Sequence, residues 1–158
     1  MIHLDASKAA PGAYAAMLGL EKYLYSSGFE PKLLHMIKMR VSQINGCAYC
    51  LDMHSKDARA AGETEQRLYA LPAWRETPFY TDRERAALAW AEALTLIAEQ
   101  HDTLPLLADL RPHFSDKEIA DLSLAIVAIN GWNRLAIGLG ADVGSYQPAP
   151  HVVKRESA

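Results

Sequence analysis

Apolar residues recur at helical spacing along almost the whole chain. Leu34, Ile37, Val41 and Ile44 lie three, four and three positions apart, a stripe that belongs on one face of an α-helix. No segment shows the alternation of apolar and polar β-branched residues that marks a half-buried strand. The pattern predicts one helix from Pro11 to Ser26, ended by Gly28, and a second from Pro31 to Asn45-Gly46. A third runs from Cys47 to Gly62. Proline suits a first turn and glycine a stop. A short helical piece from Glu63 to Leu71 is closed by Pro72, and Ala73 to Tyr80 reads as a loop. Thr81 with Glu84, and Ser115 with Glu118, are capping boxes. They open helices to about Gln100 and about Leu139, with a short segment around Leu106, Leu107 and Leu110 between them.

From Leu122 to Ile129 only Ser123 is polar. A helix apolar all round is expected to be buried on all sides, at the centre of a bundle or in a subunit interface. The stretch from Ala141, with Gly144, Pro148 and Pro150, reads as an arm or a disordered end. The expected architecture is therefore all-α: a helical bundle in one domain over 1–158, its core at about 12–140 and a C-terminal tail at 141–158.

Charge narrows the functional classes. The net charge of −3 has the wrong sign for an electrostatic nucleic-acid binder. No basic stretch leads into an apolar run at the start, and no run reaches roughly 18 uninterrupted apolar residues. The expectation is a cytoplasmic protein with neither nucleic acid nor membrane as partner.

The chemistry is concentrated in Cys47-Ala48-Tyr49-Cys50, which holds both cysteines of the chain. A disulfide closing so short a loop adds little stability, so redox activity or metal binding is the better expectation. On a helix beginning near Cys47, the residues Cys47, Cys50 and His54 share one face within about 60°. Tyr49 falls on another side of that helix and, with Met39 and Met53, is expected to line the core or the approach to the thiols. A thiol in the first turn of a helix faces unpaired N–H groups, which favour thiolate. An imidazole at i+4 from Cys50 can take a thiol proton. The helix end thus favours Cys47 as the acidic thiol and the nearby base favours Cys50. The bland alternative is two buried small hydrophobes. A zinc site would need a further ligand, from His35, His101 or His113. A c-type haem is excluded because Leu51 follows Cys50.

The run from Leu34 to His54, LHMIKMRVSQINGCAYCLDMH, resembles the signature of the alkylhydroperoxidase D-like, carboxymuconolactone decarboxylase superfamily. Ala128 to Ala136, AINGWNRLA, resembles its single-domain members. The resemblance implies an all-helical fold that assembles as a homo-oligomer, a trimer or hexamer. It implies thiol-dependent peroxidase activity with no cofactor and no metal. In the pattern carried over, Cys50 attacks a hydroperoxide, Cys47 resolves it as a disulfide, and His54 relays the proton. A dihydrolipoyl-type or thioredoxin-type dithiol would be the reductant. Two positions depart from the peroxidase pattern. His35 stands where a relay glutamate is expected, twelve residues before the first cysteine, and could serve as a weaker base. Tyr49 stands where a histidine is expected. The other superfamily activity, decarboxylation of a lactone acid, needs no cysteine pair. A redox-sensing or zinc-binding interaction module is the non-enzymatic alternative. Trp132-Asn133-Arg134 is expected to be a core aromatic beside a polar contact that fixes packing.

Overall fold

The computed structural model describes residues 3–148. The predicted tail is therefore described as far as Pro148, and its remainder lies outside the described residues. Among the described residues there are helices and no strand. In chain order they are α1 (Ala6–Ala9), α2 (Pro11–Ser26), α3 (Pro31–Asn45), α4 (Ala48–Ala60), α5 (Glu65–Ala70), α6 (Asp82–Thr95), α7 (Leu104–Leu110) and α8 (Asp116–Leu139). The bundle is all-α, as the periodicity predicts.

Helix α3 is the centre of the site-bearing layer and packs on α4, α6 and α8. Of its stripe, Leu34, Ile37 and Val41 are fully buried and Ile44 is partly so, while Leu33 and Met36 are buried beside them. Burying each such side chain contributes about 1.5–3 kcal/mol. From α6 come Ala87, Leu88 and Ala91, and from α8 Leu122, Ala125, Ile126 and Ile129, to complete this core. Small alanines let the helices approach closely, while the leucines and isoleucines fill the space between them.

Both capping boxes form. Thr81 and Ser115 accept from the backbone N–H of Glu84 and Glu118, whose carboxylates reach back to the caps. Boundaries differ elsewhere, each for a local reason. Cys47 is not in α4 but caps it, with extended backbone. Leu71–Glu76 forms a 3₁₀ helix that passes through Pro72 and replaces the first half of the expected loop. Proline lacks only a donor, which an N-terminal position does not need. Helix α6 ends at Thr95 rather than near Gln100, and a 3₁₀ turn, Ile97–Glu99, follows.

Within one chain α8 is buried only in part. Its 24 residues and mean hydropathy of 1.4 would suit a membrane span by length and composition alone. It packs instead against α2, α3, α4 and α6. Yet it is not buried on all sides, since Leu124, Val127 and Ile137 are 40%, 60% and 53% exposed. The neighbouring helices cover only part of its circumference. Ser123 lies in the helix interface, where its hydroxyl accepts from Trp90 Nε1 at 2.9 Å and donates to the Ile119 carbonyl.

Candidate active site

The α3–α4 junction sets the geometry. Gly46 adopts φ 68°, the left-handed region that glycine enters without penalty, and terminates α3. The chain then turns so that Cys47 N–H donates to the Ser42 carbonyl at 3.0 Å. Cys47 lies at the N-terminus of α4, and its Sγ accepts from the Cys50 N–H at 3.4 Å. The two sulfurs are 2.8 Å apart and reduced.

At that separation the pair shares one proton. The hydrogen bond with the Cys50 side chain, helped by the backbone N–H groups of Cys50 and Tyr49 and by Asn133, lowers the Cys47 thiol to about 6. The bond to Cys47, burial and the charge on Cys47 push the Cys50 thiol far above the ordinary range. The resting dithiol therefore carries its negative charge on Cys47 and its proton on Cys50. The hydrogen bond from Cys50, with the helix-end donors adding to it, favours Cys47 as the charged thiol at rest, one of the two outcomes left open by the spacing. Thiolate absorbance of the reduced protein at 240 nm should therefore appear with a midpoint near pH 6 as pH rises. In Cys50→Ala the midpoint should move up, because the side-chain donor to Cys47 Sγ is removed.

A polar network supports the sulfurs. Asn45 Nδ2 donates to Asn133 Oδ1 at 2.9 Å, and Asn133 Nδ2 donates to Ser42 Oγ at 3.1 Å. Asn133 and Ser42 are wholly buried, and both favour the ionised form of Cys50. Of the expected Trp-Asn-Arg contact, Asn133 is thus beside the thiols, while Arg134 only reaches back to Asn130.

A cavity of about 510 Å³ opens over this junction. Its wall is mostly apolar and aromatic: Tyr14, Leu18, Tyr25, Met53, Trp132 and Leu135 contribute. Cys50 and His54 line it, whereas Cys47 does not. Tyr49 also lines it, in keeping with its expected place at the approach to the thiols.

His54 is buried and borders the same cavity as Cys50. Burial first, then the charge of Lys38 and the neighbouring His35, hold it well below the ordinary histidine range, so it is neutral at pH 7. Its Nδ1 has no hydrogen-bond partner, so sharing a helix face with Cys50 brings it to the same cavity wall without a bond through that atom. His35 is also buried, its ring 6.2 Å from that of His54 and 6.1 Å from that of Tyr25. His101 and His113, the other potential zinc ligands, are not part of this cluster.

Sequence reasoning missed Lys38, Glu21 and Asp57. Lys38 is 1% exposed, ion-paired with Glu21 of α2, and 4.8 Å from the Tyr25 ring centroid. Burial lowers its pKa. Glu21 also accepts from Trp132 Nε1 at 3.0 Å. A signal was available: Lys38 is four residues after Leu34 and directly after Ile37, inside the apolar stripe, where a lysine needs a buried partner. Asp57 lies 4.0 Å from His54 Nδ1 and accepts from Tyr146 Oη at 2.7 Å. The chain from Ala141 is an arm that closes one side of the cavity through Ala141, Asp142, Ser145 and Tyr146.

Fold and site together define an all-helical dithiol protein with a CxxC pair at a helix end beside an aromatic cavity. Residues 11–93 match the carboxymuconolactone decarboxylase family, and the chain belongs to that family. It is 45% identical over 131 residues to the uncharacterized protein YdfG of Bacillus subtilis, covering 83% of this chain and 89% of that one. A crystal structure from Agrobacterium tumefaciens, of a protein of unknown function suggested to be the antioxidant defence protein AhpD, superposes with a TM-score of 0.87 at 44% identity. The match covers 92% of this chain and all of that one, 100%. An uncharacterized peroxidase-related protein from Silicibacter sp. is 28% identical with a TM-score of 0.69, over 79% of this chain and 66% of that one.

Proposed function

We propose that this protein is a thiol-dependent peroxidase that reduces an organic hydroperoxide and is recycled by an external dithiol. The observation that carries the proposal is the sulfur pair itself: two reduced thiols 2.8 Å apart, one of them on the wall of an aromatic cavity. Family membership and the peroxidase-related and AhpD-type relatives support the same chemistry.

In this mechanism the proton of Cys50 passes to Cys47 Sγ, leaving the thiolate on the cavity side. Cys50 Sγ attacks the outer oxygen of the hydroperoxide and the O–O bond breaks. Cys50 becomes a sulfenic acid, and the alkoxide leaves with the proton that Cys47 held, passed through the cavity by neutral His54. Cys47 is again a thiolate. It attacks Cys50 Sγ and the sulfenic oxygen leaves as water after taking a proton from solvent. One hydroperoxide and one proton are consumed, and an alcohol, a water and a disulfide are formed. The external dithiol then reduces the disulfide and is itself oxidised to one. The cavity's aromatic lining suits a substrate with an apolar organic group.

Mass spectrometry after one equivalent of an organic hydroperoxide tests this. The peptide containing Cys47 and Cys50 should lose two hydrogens and regain them on addition of dithiol. An unchanged peptide would exclude peroxide chemistry and leave the decarboxylase or interaction-module alternatives.

A further inference from the structure

We propose that His35, His54 and Asp57 form a binding site for a divalent first-row metal ion of the zinc class, built without either thiol. One donor atom from each of the three residues lies within 4.8 Å of the other two. Two nitrogens and a carboxylate oxygen are a standard donor set for such an ion, and three protein ligands leave a coordination position open. His54 and Asp57 both line the cavity, so the open position is on the side that a small molecule can reach.

Three independent features favour a cation here. His54 Nδ1 is fully buried without a hydrogen bond, and the carboxylate facing it at 4.0 Å is too far to supply one. Such an atom costs about 1–3 kcal/mol, and an ion between it and Asp57 would satisfy both. Asp57 is also oriented for the task. Tyr146 Oη donates to its Oδ1, leaving Oδ2 toward His54, an outer hydrogen bond of the kind that holds metal-binding carboxylates. Finally, the ammonium groups of Lys38 and Lys56 are already balanced by Glu21 and Asp52, so Asp57 supplies the negative charge that meets an incoming ion. Closing on Zn²⁺ requires the widest donor pair to approach by roughly 1.5 Å. Asp57 and His54 lie one turn apart on α4 and can make that adjustment through side-chain rotation.

The thiols would bind zinc in any simple assay, so the test uses the full chain carrying both Cys47→Ser and Cys50→Ser. Calorimetric titration with Zn²⁺ should give one equivalent bound with a dissociation constant in the micromolar range or below. Co²⁺ should give visible d–d absorption with no thiolate charge-transfer band. Adding His54→Ala or Asp57→Asn should abolish saturable binding. Adding Tyr146→Phe, which removes only one hydroxyl and is expected to fold normally, should weaken binding about 10-fold or more. Absence of Zn²⁺ binding by the double-serine protein would overturn the proposal. So would binding that the Asp57 and Tyr146 variants leave unchanged.

Discussion

Hydroperoxide turnover is expected to fall by roughly three orders of magnitude or more in Cys50→Ser, because the variant lacks the attacking sulfur. Cys47→Ser should behave differently. It loses the resolving thiol and the acceptor for the Cys50 proton, so its first oxidation slows and then stops at a sulfenic acid. A steady-state assay with dithiol reductant and a sulfenic-acid-trapping reagent would distinguish the two. The asymmetry follows from position: Cys50 borders the cavity and Cys47 does not. If sulfenic acid accumulates in Cys50→Ser instead, the roles are reversed and the thiolate that rests on Cys47 is itself the nucleophile. Helix-end donors favour that outcome, and access to the cavity opposes it. We weigh access more heavily, because one proton transfer over 2.8 Å exchanges the charge between the sulfurs, whereas no proton transfer can expose Cys47.

The second large effect concerns stability. Glu21→Gln should lower stability by about 3 kcal/mol, the lower end expected when one member of a buried ion pair is removed. For a chain of this size that is a fall in melting temperature of roughly 6–12 °C, measurable by circular dichroism. The reason is that Lys38, at 1% exposure, would keep its charge without a partner. Adding Lys38→Met should recover most of the loss. The pH dependence has a definite sign. Burial lowers the Lys38 pKa below its unfolded value, so the unfolded chain binds more protons as pH rises toward that value. The single variant should therefore regain stability as pH increases through the alkaline range. A loss below about 1 kcal/mol would mean that water reaches the lysine and solvates it.

The stripe in α3, the two capping boxes and the C-x-x-C-x-x-x-H spacing were legible because each is a local pattern within one helix. Cys47, Cys50, His54 and His35 all come from the α3–α4 hairpin: the two cysteines meet at its turn, His54 lines the cavity with Cys50, and His35 neighbours His54 rather than the sulfurs. What the sequence could not reveal is contributed across the fold. Glu21 reaches Lys38 from α2, Asn133 reaches Ser42 from α8, and Tyr146 reaches Asp57 from beyond the last helix. These pairs are separated by 17, 91 and 89 positions, and no helical period connects them. The same limit explains α8: its composition predicts burial, but only the arrangement of its neighbours determines which side remains open.

Cys47 is the side chain that finishes the start of α4, and in the proposed mechanism it is also half of the redox couple. Forming the disulfide takes electron density from the atom on which the first-turn amide rests. The beginning of this helix is therefore expected to be tighter in the reduced protein than in a disulfide form. Under the proposed mechanism each turnover would loosen and retighten a helix end, so a reducing dithiol could distinguish a spent molecule from a fresh one by its shape before any sulfur is exchanged.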